Sequence, residues 1–470
     1  MSWIDRFIPL SMKRNAKPAG TAAPMATAVT TTATRDSRSG KKTPPARSFP
    51  RFKSTALDQL DPKLSDPFAK VRMSLRTAFT PSLPVTDQRM FAGRTQVLTA
   101  LIESIEEQRL HTVLYGERGI GKTSLLHVLE QSAREARYLV VYLSCGASTN
   151  FDEIFRSIAS GIPLLFHSGY GPTSAESERG STFADLLTSA PVPVRTASEM
   201  LARVVGTRVV VILDEFDRCE STQFRQNIAE LLKNLSDRSV RVQLVIAGVA
   251  SNVTELVDYI PSIQRSVAAL PVPDMSATEV RQLVVNGEDA SGVNFESAAI
   301  GLIVSVANGL PYLASLLCHH ASHLAIEQGR MTVKTDDVSA AVSEAIQEFE
   351  SRTAKRSRLQ IAACLHDTSL ENLGVLARAA QAAGGRFNLD DVGVIAAANP
   401  VELKACRALV ESLVSKRMLL DAGEDDDGPY FNFIDESVPP YLRLLAAQAQ
   451  LGAGKAPVAA VAEPRASVKL

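Results

Sequence analysis

The sequence predicts an α/β fold: a parallel sheet of about five strands, then two helical modules, with disordered termini. Three observations lead there. Between residues 90 and 275 short apolar runs alternate with helix-length amphipathic patterns, the rhythm of strand–helix units in a parallel sheet. The stretch Gly116-Glu117-Arg118-Gly119-Ile120-Gly121-Lys122-Thr123-Ser124 follows the apolar run Thr112-Val113-Leu114-Tyr115 and precedes the helical pattern Leu125-Leu126-His127-Val128-Leu129, so a glycine-rich loop joins a strand to a helix. The valine-rich run Val209–Leu213 is apolar without a break, as suits a strand buried on both faces, and it ends in Asp214-Glu215.

Residues 1–65 are rich in Thr, Ala, Ser, Pro and basic side chains, with almost no periodic apolar pattern. They cannot bury enough surface to offset the entropy of ordering, so a disordered arm is expected. A core spans 66–275. It opens with a short helix in Pro67–Phe79 and a connector marked by Pro81 and Pro84. A helix opened by Met90-Phe91-Ala92-Gly93-Arg94 follows, with Val97, Leu98, Leu101, Ile102 and Ile105 on one face. Strands are expected at 111–115, Tyr138–Leu143, Arg208–Leu213, Val242–Ala247 and Val267–Val272. Helices are expected from the loop to about 135 and at 151–160, 196–205 and 221–235, with an exposed loop at Gly169–Gly180.

From Ser276 the pattern is wholly helical, at 276–286, 294–307, 311–327 and 334–352, which defines a helical lid over 276–352. A third unit covers 356–446. Helices at Leu370–Ala382, Leu389–Ala397 and Val401–Arg417 precede two short strands, Met418–Leu420 and Tyr430–Phe433, around Glu424-Asp425-Asp426-Asp427-Gly428; three helices and a hairpin is the order of a winged helix. Residues 447–470 read as a disordered Ala/Gly/Pro tail.

The loop carries the clearest chemistry. Its glycines let backbone N–H groups turn toward an anion, and the following helix adds the positive end of its dipole. Lys122 would reach the β- and γ-phosphates of a nucleotide, and the Thr123 hydroxyl would hold Mg²⁺. A chance match to this spacing occurs in roughly one chain in a hundred of this length, and the flanking strand and helix make it rarer. Asp214 would approach the same Mg²⁺ from the carboxyl end of its strand, and Glu215 would orient or deprotonate the attacking water. Ser251 and Asn252 follow another strand, where the Asn252 amide would position water. Arg265, just before the last strand, would reach a neighbouring subunit's nucleotide as an arginine finger.

Composition narrows the partners. The net charge of −1 hides a basic arm: residues 1–55 hold eleven Lys and Arg against Asp5 and Asp36, about +9, which leaves about −10 for the remainder. Such an arm suits DNA or an anionic membrane surface, or serves as a solubilising tail. No run of 18 apolar residues is present, so no membrane span is expected. Met1–Leu10 carries Asp5 and Arg6 and makes a poor signal peptide. The five cysteines are scattered without a Cys-x-x-Cys, as in a reduced, cytoplasmic protein. His319, His320 and His323 share one expected helix and are read as helix surface rather than a metal site.

Phe91-Ala92-Gly93-Arg94, the loop Gly116–Thr123, the strand Val209–Asp217, the turn Val249-Ala250-Ser251-Asn252 and Gly309-Leu310-Pro311 together resemble the AAA P-loop ATPase domain shared by origin-recognition-complex-like proteins and STAND regulatory ATPases. The resemblance covers about 66–350, and with the lid and winged helix about 66–446. It implies ATP binding with Mg²⁺, slow hydrolysis and use of the nucleotide state as a conformational switch. It further implies that Phe91 to Arg94 border the adenine and that Pro311 lies in the lid near the nucleotide. Initiators often carry a lid arginine where this chain has Gly309-Leu310-Pro311-Tyr312, which is closer to the STAND pattern.

Two other roles remain in view: an ATP-controlled DNA-binding loader or transposition helper, and a nucleotide-dependent scaffold with little turnover. Lys404, Arg407, Lys416 and Arg417 on the third helix of the last unit could meet phosphates, whereas Glu402, Glu411 and the acidic wing would be repelled by them. A homo-oligomer or a protein partner on the winged helix is at least as well matched.

Overall fold

The computed structural model describes residues 68–169, 171, 173, 180–238, 240–250, 256, 265–399, 401–425 and 428–452. All of them belong to one compact unit, Leu60–Leu470. The basic arm, the end of the tail, most of the loop between Gly169 and Gly180, Ser251 and Asn252 lie outside the described residues.

The described residues begin with α1 (Ala69–Ala78) and α2 (Thr95–Glu106). The chain then builds β1 (His111–Gly116), α3 (Lys122–Glu135), β2 (Leu139–Ser144), α4 (Phe151–Ser160), α5 (Val194–Leu201), β3 (Val209–Asp214), α6 (Thr222–Asp237), β4 (Val242–Val249) and β5 (Val267–Pro271). All five strands are parallel, in the order β2-β3-β4-β1-β5. The mixed α/β architecture and the five-stranded sheet are thus as the alternation of patterns predicts. Asn150 and Ser221 start α4 and α6 by accepting hydrogen bonds from the Glu153 and Phe224 amides, which supplies partners that a helix start otherwise lacks.

Alternate side chains of each strand enter different cores. Leu114, Ile212 and Val245 face α2 and α3 on one side; Val113, Val211 and Leu244 face α4, α5 and α6 on the other. Every residue of β3 is buried. A strand so placed has no solvent face, which is why its sequence shows no alternation.

The helical run follows as α7 (Ala277–Ser291), β6 (Asn294–Phe295), α8 (Ser297–Ala307), α9 (Pro311–Glu327), β7 (Thr332–Val333) and α10 (Thr335–Arg352). A capping box of Ser276 and Glu279 begins α7, and Pro311 occupies the first turn of α9, where its missing N–H costs nothing. Next come α11 (Lys355–Asp367), α12 (Leu370–Ala382), β8 (Arg386–Phe387), α13 (Leu389–Ala397), α14 (Leu403–Ser415), β9 (Leu420–Asp425), β10 (Gly428–Phe433) and α15 (Val438–Gly452). The strands β8, β10 and β9 form a three-stranded antiparallel sheet in that order.

Several expectations shift here. The run expected to be wholly helical holds the parallel strand pair β6–β7, so that α8 starts at Ser297 and not at 294, and helix α11 and strand β8 are additional elements. Strand β9 starts at Leu420 and takes in Glu424, which the sequence places in the turn. Helix α15 reaches Gly452, past the expected start of the tail at 447. Its Tyr441, Leu442 and Leu444 bury against the same apolar core that runs from α2 and α3 through α7–α10, so the C-terminal helix is tied down by packing.

Candidate functional site

The loop after β1 stands at the carboxyl edge of the sheet. Gly121 caps α3 with φ +94°, and a Cβ there would stand 3.0 Å from the Arg94 guanidinium. At Gly116 a Cβ would lie 2.8 Å from the Val272 carbonyl oxygen. Gly116 therefore demands glycine for space as well as for conformation, and Gly121 for its left-handed conformation. No side chain caps the first turn of α3 and no acid stands in it. Its N–H groups are left for an anion, as a phosphate cradle requires.

Lys122 is buried and donates hydrogen bonds of 2.8 Å to the carbonyl oxygens of both Gly116 and Glu117. Burial lowers its pKa to about 8, with Asp217, Asp214 and Glu117 pulling the other way. Thr123 Oγ1 donates to Asp214 Oδ2 at 2.8 Å. These two residues are 91 apart in sequence and reach each other although β4 is inserted between β1 and β3. The other oxygen, Oδ1, accepts from the Glu215 amide at 2.8 Å. The Thr123 hydroxyl and the Asp214 carboxylate, side by side, are hard oxygen donors of the kind that suits Mg²⁺.

Glu215 follows β3 in the left-handed region, φ +53°. This turn carries its carboxylate to Ser144, whose Oγ donates at 3.1 Å, and to Arg218, which donates at 2.8 Å. Asp217 accepts from the Val249 amide at 2.8 Å and so fixes the end of β4 beside the cleft.

Next to the loop is an apolar slot lined by Val85, Met90, Phe91, Met275, Leu283 and Pro311. It continues into an open cleft of about 540 Å³ that takes in Gly119, Lys122, Thr123, Asp214 and Glu215. Ser124 Oγ accepts from the Val85 amide at 3.0 Å, which draws the connector over the slot. Arg94 lines the slot too, but its guanidinium donates to the carbonyl oxygens of Ile120 and Pro273, the latter at 3.2 Å. Burial lowers its pKa to about 10. It braces the loop against the start of the helical run. Pro311 and Tyr312 bring the uncapped N-terminus of α9 to the same cleft.

The outer side of the loop faces the C-terminal elements. Arg118 donates to Glu436 at 2.9 Å. Burial and Asp274 raise the Glu117 pKa to about 8, against the opposing pull of Arg443 and Lys122. Asp274 accepts from Gln381 Nε2 at 2.7 Å, and Arg443, buried on α15, donates to Gln381 and to the Ala307 carbonyl oxygen at 2.6 Å.

Phe91, Arg94, Pro311, Asp214, Glu215 and the loop Gly116–Ser124 therefore gather around one cleft. Arg265 does not join them: it is exposed, two residues before β5, whose Val267 pairs with His111 at the edge of the sheet opposite the loop. Tyr142, Ser144, Asp217, Arg218 and Glu436 are further members of the site. On the sequence Tyr142 reads only as part of the strand Tyr138–Leu143, and Ser144 lies just past its expected end. The three histidines on α9 are half-buried: His319 bonds the Phe79 carbonyl oxygen at 3.1 Å, and His320 pairs with Glu344 at 2.8 Å and with Glu348 at 3.2 Å.

A glycine loop and uncapped helix on β1, with an acid ending a strand two places away, define a P-loop NTPase. The chain belongs to the novel STAND NTPase 1 family, whose model matches residues 78–426. No curated protein matches the sequence. Among solved structures it is similar to Cdc6p of Pyrobaculum aerophilum, at 16% identity and a TM-score of 0.42 over 80% of this chain and 98% of that one. It is similar to the ORC2 protein of Aeropyrum pernix, solved as ADPNP–ADP complexes, at 18% and 0.42 over 81% and 98%. The RuvB Holliday junction branch migration motor of Thermotoga maritima is similar at 16% and 0.39 over 73% and 93%.

Proposed function

We propose that this protein binds and slowly hydrolyses ATP, and that the nucleotide state switches the contacts of its phosphate loop with the C-terminal elements. The observation that carries the hydrolytic part is the meeting of Thr123 and Asp214 beside the loop. Lys122 and the first amides of α3 would hold the β- and γ-phosphates, and Phe91 and Pro311 would border the base. Thr123 and Asp214 would hold Mg²⁺, which when bound neutralises charge on the phosphates. Glu215 would take the proton of the attacking water once its carboxylate leaves Ser144 and Arg218. Asn252 would help to position that water. Arg265, turned away from its own loop, would serve only a neighbouring subunit.

The switch rests on the loop's outer side. Glu117 and Arg118 stand in the loop that grips phosphate, while their side chains answer to Arg443 and Glu436 of the C-terminal elements. A shift of the loop on gain or loss of the γ-phosphate would thus be felt by both. The order of α12, β8, α13, α14, β9 and β10, with its three-stranded sheet, supports reading that module as a winged helix.

Equilibrium binding of labelled ATP with and without magnesium tests the proposal. Lys122→Ala should weaken retention roughly 100-fold, the worth of a charge-assisted contact to phosphate. Wild-type protein that retains no ATP in magnesium would overturn the assignment. Single-turnover hydrolysis separates a working ATPase from a nucleotide-bound scaffold.

One observation favours a second reading as a DNA-binding loader: Lys404, Arg407, Lys416 and Arg417 are all exposed on or just after α14. Exposed Glu402, Glu411 and Glu424 oppose it. DNA affinity that falls steeply with salt and survives deletion of residues 1–55 would support it. Sizing with and without ATP tests whether Arg265 meets a second copy.

A further inference from the structure

The Asp214 carboxylate has a third partner beyond Thr123 and the Glu215 amide. Tyr142, on β2, donates its hydroxyl proton to Asp214 Oδ2 at 2.7 Å, the same oxygen that accepts from Thr123 at 2.8 Å. The strand register explains how it arrives there. Ser144 pairs with Asp214 and Tyr142 with Ile212, so the phenol stands one pleat below the carboxylate and reaches up to it. Its ring lies flat on the His127 imidazole, with centroids 4.8 Å apart and planes 6° apart. His127 is four residues after Thr123 on α3, and so on the same helix face. One helix thus supplies the hydroxyl of the metal-binding pair and the platform that aims the hydroxyl opposite it. A phenylalanine would fill the same space and stack as well, so apolar packing alone does not account for the hydroxyl.

We infer that Tyr142 is a positioning residue for the divalent cation: held by the stack on His127, its hydroxyl fixes the direction in which the Asp214 carboxylate presents its oxygens. The inference rests on reading Thr123 and Asp214 as the Mg²⁺ pair. When the Thr123 oxygen turns to the cation, Tyr142 remains to hold Oδ2 in place. Partners of this kind, which orient a ligating carboxylate without touching the metal, change metal affinity by about 10- to 100-fold when removed.

The test is a magnesium titration of fluorescent-ATP binding to the full chain, made with wild type, Tyr142→Phe, Asp214→Asn and the double variant. Tyr142→Phe should raise the magnesium midpoint at least about tenfold and leave nucleotide affinity in EDTA at the wild-type value, a split that general loosening of the fold would not give. In the Asp214→Asn background it should add no further shift, because the carboxylate through which it acts is gone. A Tyr142→Phe midpoint within about twofold of wild type, or a full further shift in the double variant, overturns the inference and leaves the nucleotide site standing. Wild-type binding that ignores magnesium removes the Mg²⁺ pair itself, and this inference with it.

Discussion

The phosphate loop has two sides, and they are built differently. On the inner side Lys122, Thr123 and the Asp214 carboxylate are bound within a narrow range, 2.7 to 2.8 Å, to one another or to partners from β1, β2 and the loop itself. On the outer side Glu117 is held near a second acid, Asp274, with its pKa far from the ordinary value, and Arg118 keeps one ion pair at the surface. The side chains of the inner side are hydrogen-bonded and stereochemically specified; the outer side holds charges that are only partly answered. Nine consecutive residues therefore serve two ends. Substitutions on the inner side should alter nucleotide chemistry at nearly constant stability, and those among the buried charges of the outer side, Glu117 and Arg443, should do the reverse, whereas the exposed Arg118 should affect stability little.

Glu215→Gln breaks the comparison most directly if it is wrong. The amide keeps the size of the side chain and a hydrogen-bonding oxygen for Ser144 and Arg218 but cannot take a proton. ATP affinity should stay within about twofold, while single-turnover hydrolysis falls about 10²- to 10⁴-fold. Unchanged turnover would remove Glu215 as the base.

On the outer side, Arg443→Met should cost about 3 kcal/mol in urea unfolding. The guanidinium is buried against Gln381 and the C-terminal carbonyl of α8, and its loss leaves Asp274 and that carbonyl without their cation. ATP affinity of the folded fraction should change far less. A loss of affinity that matched the loss of stability would mean that the two sides are one unit.

Glu117→Gln sharpens the contrast through pH. Burial and Asp274 raise the carboxyl from the ordinary 4.5 to about 8, against Arg443 and Lys122. Between these values the folded chain keeps a proton that the unfolded chain has released, so this group lowers stability as pH rises from about 4.5 to about 8 and adds nothing further above that. Glutamine has no proton to lose. The variant should match wild type near pH 4.5 and exceed it by at least about 1.4 kcal/mol at pH 8, the worth of one pK unit. Thermal melting across that range checks the sign.

Much of the inner side was legible in the sequence, because its residues answer to backbone geometry. Gly116, Gly121, Lys122 and Thr123 must stand at fixed spacing for a turn to meet a helix start, and Asp214 ends a strand whose unbroken apolar run announces burial. Helices Leu370–Ala382 and Leu389–Ala397 have the expected bounds because Ser369 and Asn388 cap them. Tyr142 and Ser144 were not legible: their roles come from the pairing of β2 with β3, and nothing in Leu139–Ser144 distinguishes a site strand from a core strand. Arg443 was hidden for another reason. The sequence reading places no helix between the hairpin and the tail, whereas α15 stands there with Pro439 and Pro440 in its first turn, where proline is tolerated.

The smallest effect belongs to Arg118. Its ion pair with Glu436 measures 2.9 Å, but the two side chains are 79% and 59% exposed, and such a pair contributes about 0–1 kcal/mol. Arg118→Ala should leave the melting temperature nearly unchanged. Because the pair ties the loop to the C-terminal elements beside the cleft, release of a fluorescent ADP should quicken by about two- to fivefold at low salt. At roughly 0.5 M salt the difference should vanish, since screening weakens the pair in the wild type as the substitution does in the variant. A difference that persists at high salt would show Arg118 gripping the nucleotide instead of Glu436, and would move this residue from the outer side of the loop to the inner.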